Sequence, residues 1–209
     1  MLSLFFSTLA SLFTVVNPLG AVPVFLAMTG HYTPLERTKL ARSSSLYFFI
    51  ILLAFFLAGK LILAFFGISL NSLRIAGGLI ILHSGYGLLN GKFSQSRAVN
   101  QEVKEEAAQK EDISFTPIAM PLLSGPGSIS LLIGMFAESS DWGRRGIIIA
   151  AIVAMSILVF LTLRSAPYLF KLLGVGGLKA LSRIMGFLVM SIGIQYIILG
   201  LVNLVQSLW

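Results

Sequence analysis

Two apolar stretches of membrane length each gather residues that interrupt helices. No other feature of the chain limits its folding more. The first is Phe13 to Phe25, FTVVNPLGAVPVF, which holds Asn17, Pro18, Gly20 and Pro23. The second is Met120 to Ile129, MPLLSGPGSI, and an offset of 108 residues sets Pro18 on Pro126, Asn17 on Gly125 and Gly20 on Ser128. Proline within a helix removes a backbone donor and clashes with the carbonyl four residues back. In hydrocarbon the freed backbone groups need partners in protein or in a water-lined cavity. Two broken apolar segments at matching places in two halves of a chain point to a transport site near the bilayer midplane. They are also compatible with kinks that only shape a bundle, because Gly and Pro are ordinary in membrane helices.

Apolar windows of about 20 residues recur six times along the chain. Only 11% of the 209 residues are charged, against about 25% in soluble domains. The expected fold is therefore an all-α integral membrane protein with six transmembrane segments. These lie near residues 2–28, 46–66, 73–89, 115–137, 146–163 and 181–202, and segments 1 and 4 are expected to be broken or re-entrant. The N-terminal run lacks a basic leader and outlasts a signal-peptide core, so it reads as a retained first span. Thr33-Pro34 followed by Glu36 marks a helix start, read as a short surface helix leading into the second span. Gly67 to Ser72 reads as a tight turn. Residues 164–179, with Pro167 and Gly174, read as a span end, an interfacial piece and a turn.

The one long polar stretch divides the chain into a three-span unit at 1–91, a charged cytoplasmic linker at 92–114 and a second three-span unit at 115–209. Two similar units with an odd number of spans insert with opposite topology, the inverted repeat of many secondary transporters. The third and sixth spans also align, at an offset of 109. Arg74 then falls on Arg183, and Gly77, Ser84 and Gly91 fall on Gly186, Gly193 and Gly200. Small residues every seven positions line one helix face and allow close backbone approach, within or between protomers. Packing is the preferred reading of that face, and a homo-oligomer is left open.

The net charge is +7, but the basic residues sit at span ends and in loops, so nucleic acid is not the expected partner. With the N-terminus outside, eleven Lys and Arg fall on the cytoplasmic side and four on the outer side. The positive-inside rule then places both termini outside the cytoplasm. There is no cysteine and there are only two histidines, so no metal site and no cofactor are expected. No catalytic constellation stands out, and Ser124 with His83 is only the nearest approach to one. The chain is not expected to be an enzyme.

The motifs Asn17-Pro18-Leu19-Gly20 with Pro23 and Phe25, Arg74-Ile-Ala-Gly-Gly78, and Pro121-Leu-Leu-Ser-Gly-Pro-Gly127 resemble the MarC family of bacterial inner-membrane proteins, related to the LysE-type exporter superfamily. The resemblance covers essentially the whole chain. It implies six spans, a bacterial inner-membrane location and transport of small neutral amino acids such as glycine and alanine. An exporter of other small metabolites or toxic compounds, or a non-transporting scaffold, are the alternatives.

The expected substrate site joins the two breaks: Asn17, Pro18, Gly20 and Ala21 from the first, and Pro121, Ser124, Gly125, Pro126, Gly127 and Ser128 from the second. Helix N-termini at the breaks would hold a carboxylate. Freed carbonyls would accept from the ammonium, and the Gly and Ser lining would favour small side chains. Arg74 and Arg183 read as interfacial anchors or matched gates. His83 is the only titratable residue at depth. It reads first as a neutral side chain bonded to a nearby carbonyl, and otherwise as part of a proton path. Coupling to sodium or to protons stays open.

Overall fold

The apolar runs fold as helices, and the interruptions fall at the residues that force them. The computed structural model describes residues 1–90, 112–139 and 141–206. The linker expected at 92–114 lies outside them except for its last three residues. All regular structure among the described residues is helical. The helices are α1 (Leu2–Val16), α2 (Pro18–Met28), α3 (Pro34–Phe66), α4 (Leu70–Leu89), α5 (Pro126–Glu138), α6 (Trp142–Arg164) and α7 (Ala166–Gln206), with an irregular proline-rich segment, Ser114–Leu123, before α5. Among the described residues, five helical runs are long and apolar enough to cross a membrane, or six if the bent pair Ser114–Leu123 and Pro126–Glu138 counts as one span.

Asn17 makes the first break. It sits in the left-handed region at φ 48, which Asn tolerates better than most residues. Its N–H donates to Phe13 O at 2.9 Å, closing α1. Its Oδ1 accepts from Gly20 N at 3.2 Å, opening α2. Pro18 takes the first helical position, where a missing N–H costs nothing.

The second break is longer. Thr116 and Met120 are extended, as residues before proline tend to be. Both following bonds, Thr116–Pro117 and Met120–Pro121, are cis. The turns are widened, with Ile118 N donating to Ile113 O and Ser124 N to Ala119 O. The segment and α5 meet at 67°.

The expected surface helix is not separate from the second span. Thr33 and Glu36 cap one another, and α3 runs on unbroken for 33 residues to Gly67. Gly174, at φ 63, puts a kink near the start of α7, where the sequence places a turn.

The helices from before and after the linker interleave. α3 packs on the proline-rich segment, α5 and α6; α4 packs on α5 and α7; α1 lies on α6, and α2 on α7. Apart from the chain neighbours α6 and α7, every extensive helix pairing joins a helix before residue 91 to one after residue 113. Fully buried Phe25, Phe48 and Phe56 fill the shared core. Phe56 meets Phe136 edge to face at 5.1 Å between ring centres.

α4 and α7 run antiparallel and touch through glycines. A Cβ on Gly78 would stand 2.7 Å from Gly193 O, and one on Gly85 would stand 2.7 Å from Gly186 O. The reverse contacts are just as tight. This corrects the face expected on the third span. Gly78 and Gly85 meet the partner helix. Gly77 instead faces Ser130, Ser84 turns to a cavity, and Gly91 lies outside the described residues.

Other features recur at the 108-residue offset. Thr33 caps α3, and Asp141 caps α6 through Arg144 N. Arg37 Nη2 donates to Thr29 O at 2.7 Å, just past α2. Arg145 Nη2 donates to Ser139 O at 3.1 Å, just past α5.

Candidate functional site

α5 runs back along α4 from the middle of the bundle. Ser130 Oγ donates to Leu73 O at 3.2 Å, near the start of α4. Gly127 stands beside Ile81, near the centre of α4. Val15, two residues before the first break, approaches the same glycine: its Cγ1 would be 3.5 Å from a Cβ there. Both breaks thus lie at about half the depth of α4.

A cavity of about 420 Å³ opens at this level. Its polar wall is made by Gly125, Gly127 and Ser128 at the start of α5 and by His83 and Ser84 on α4. Pro121, Pro126, Val15, Leu79 to Ile81 and Val189 supply the rest. Among these, Leu79, Ile80, His83 and Pro126 are exposed and form the rim, whereas Ile81, Gly127, Ser128 and Val189 are buried.

The two breaks differ in how their helix starts are satisfied. At α2 the Asn17 side chain covers the first turn. At α5 the equivalent residue is Gly125, which has no side chain to do so. Ser128 N and Ile129 N reach back to Gly125 O. The Ser128 hydroxyl donates to that same carbonyl at 2.8 Å. Gly127 N–H has no acceptor among the described residues. A helix start carries about half a unit of positive charge, so the cavity has a bare electropositive end.

The expected site therefore divides. Pro121, Gly125, Pro126, Gly127 and Ser128 line the cavity. Asn17, Pro18, Gly20 and Ala21 are buried behind it and do not line it. Ser124 is fully buried, and its Oγ, like Asn17 Nδ2, has no hydrogen-bond partner. The first break contributes through Val15 alone. At its own first turn, the Asn17 side chain already accepts from Gly20 N.

The charged candidates separate as well. Arg74 is not a snorkelling anchor: it is 4% exposed and pairs with Glu138, the last residue of α5. Arg183 is exposed on α7, so the two arginines occupy different surroundings. His83 has no hydrogen bond among the described residues, in place of the carbonyl contact expected for it. Sequence reasoning missed Val15, Leu79 to Ile81 and Val189, which stand in uniform apolar runs with nothing to mark them. Ser84 was read as a packing residue, although its place beside His83 was a usable signal.

Gln195 and Asn203 line no part of the cavity. Tyr196 OH donates to Leu131 O at 3.0 Å, tying α7 to α5. No group of three or more His, Cys, Asp or Glu side chains suited to a metal ion occurs among the described residues.

The family model for MarC integral membrane proteins matches residues 2–205. A UPF0056 membrane protein of Buchnera aphidicola is 37% identical over 206 residues, covering 99% of this chain and 95% of the relative. A UPF0056 membrane protein of Methanocaldococcus jannaschii is 38% identical over 96% of this chain and 97% of its own length. The UPF0056 inner membrane protein MarC of Escherichia coli is 34% identical, with coverage of 95% and 94%. No solved structure matches the chain. With a family model spanning nearly every residue, and relatives of this identity aligned end to end, the chain belongs to the MarC family of integral membrane proteins.

Proposed function

We propose that the chain is a secondary transporter of small neutral amino acids of the glycine, alanine and serine class, resident in the bacterial inner membrane. One observation carries the reading: an uncapped helix start opens into a cavity level with the middle of α4, between two chain halves. The amino acid's carboxylate docks at the Gly127 and Ser128 end of α5. Carbonyls left open at the Pro121 break accept from its ammonium. The first break supplies structure, and Asn17 keeps α2 closed against the ligand.

The architecture behind this reading is a pair of inverted three-span units. Its support is the run of equivalences at one offset: Pro18 with Pro126, Thr33 with Asp141, Arg37 with Arg145, Gly78 with Gly186 and Gly85 with Gly193. The antiparallel course of α4 and α7 agrees with opposite insertion of the halves. The lysine and arginine bias places both termini outside the cytoplasm.

A second reading, transport of larger apolar metabolites, draws on the cavity itself. Its volume of about 420 Å³ lies within the usual range for small-molecule sites, and its wall is mostly apolar.

Counterflow in proteoliposomes, run with a panel of amino acids and apolar solutes, separates the two. Exchange of alanine that is lost in Gly127→Val, a variant that still purifies as folded protein, supports the first. Exchange of apolar solutes alone supports the second. No exchange of either by the folded wild type defeats both.

A further inference from the structure

We propose that His83 binds a proton together with the carboxylate of the transported amino acid, making the proton the coupling ion. The inference rests on the amino-acid reading above and adds what drives the transport.

His83 lines the cavity whose other polar wall is the start of α5. It has no hydrogen-bond partner among the described residues. Among the described residues it is the only titratable side chain lining that cavity. The neighbouring elements offer no substitute. α1, α2 and the proline-rich segment carry no charged residue. On α5 the only charge is Glu138, held by Arg74. On α4 itself, Arg74 lies nine residues away, about 13 Å along the axis. Lys171, Lys179 and Arg183 on α7 line no part of the cavity.

An ionisable side chain at this depth belongs beside water or a ligand and not beside lipid. Histidine is the side chain that takes or releases a proton near neutral pH. A neutral amino acid arrives as a zwitterion, and its carboxylate needs positive charge. The bare helix start provides about half a unit, and an imidazolium across the cavity provides a whole one. Both attract the carboxylate. Each bound partner therefore favours the other, and by linkage the effect is reciprocal. The step is a proton transfer: an N–H bond forms on the imidazole as an O–H bond of hydronium breaks, and the proton returns to water when the substrate goes.

The test is calorimetric titration of the purified full-length protein with alanine, in buffers of different ionisation heat. Wild type should take up protons as alanine binds. Its affinity should fall as pH rises, by at most about tenfold per unit for one linked proton. His83→Gln should abolish the uptake and flatten the pH profile. His83→Lys, which restores a fixed charge, should bind alanine more tightly than His83→Gln and show no proton uptake. Alanine binding by wild type without proton exchange, or uptake that survives in both variants, overturns the assignment while leaving the amino-acid reading intact. Binding that needs sodium and moves no proton does the same. No alanine binding by folded wild type overturns both.

Discussion

Arg37 and Arg145, 108 residues apart, fasten the ends of two different half-helices in the same way. Each donates through Nη2 to the carbonyl of the residue that closes the helix before it, Thr29 after α2 and Ser139 after α5. Each of those residues also turns its hydroxyl back to the carbonyl four positions earlier, Thr29 to Phe25 and Ser139 to Met135. α5 is two residues longer than α2. The connection after it is two residues shorter, so the caps Thr33 and Asp141 return to the common offset.

A cation at a helix C-terminus satisfies carbonyls that the helix leaves open. Replacing Arg37 or Arg145 by alanine is expected to cost about 1.5–3 kcal/mol, the range for a hydrogen bond to a charged group. The check is thermal unfolding in detergent, with a fall in midpoint of roughly 3–10 °C for a chain of this size. The losses differ in kind: Arg37→Ala also removes bonds to Thr29 Oγ1 at 3.2 Å and Tyr32 O at 3.4 Å, whereas Arg145→Ala removes stacking over Phe136 at 4.3 Å.

Glycine substitutions along α7 should divide sharply. Gly193→Ala places a methyl group 2.7 Å from Leu82 N and 2.8 Å from Gly78 O, both backbone atoms that cannot swing aside. The expected loss is about 1–3 kcal/mol or more. Gly176→Ala meets nothing within 4 Å and should be neutral or stabilising by up to about 1 kcal/mol. Thermal midpoints of the two single variants against wild type decide the matter.

The Arg74–Glu138 pair is lopsided, with one side chain 5% and the other 56% exposed. Removing Glu138 strands a buried cation, whereas removing Arg74 leaves a carboxylate that can turn to water. Glu138→Gln should therefore destabilise more than Arg74→Met. We expect a loss of about 1–3 kcal/mol, below the 3–5 typical when one partner of a fully buried pair is removed. Equal losses for the two variants would show that the arginine is better hydrated than its burial indicates.

Asn17 does two jobs that different replacements separate. Glycine keeps the left-handed backbone and loses only the side-chain cap, at a cost of a few tenths of a kcal/mol. Alanine loses the cap and must also adopt φ 48, so its expected cost is about 2 kcal/mol. Comparing the thermal midpoints of Asn17→Gly and Asn17→Ala tests whether this residue acts mainly through its backbone.

Helix breakers showed themselves plainly in the sequence. Asn17-Pro18 and Gly125-Pro126 could be placed because proline and glycine act on their own backbone, whatever surrounds them. Cap residues were legible for the same reason, as Thr33 with Glu36 shows. Contacts between distant segments were not. The glycine face on α4 was read one residue off, at Gly77 and Ser84, because both that set and Gly78 with Gly85 repeat every seven positions, and only the partner helix chooses between them. Glu138 lies just past the expected end of the fourth segment at 137, so Arg74 had no visible counter-charge. The superposition of Asn17 on Gly125 already held the main asymmetry of the site, but its meaning depends on which helix start meets empty space.

Because the two halves of the chain touch each other far more than they touch themselves, biogenesis has an awkward interval. The first spans to emerge have almost nothing to pack against until residues after 113 arrive, so Phe25, Phe48 and Phe56 wait in lipid for partners still on the ribosome. Neither half made alone should reach a native state. Two halves made as separate polypeptides in one membrane should find each other.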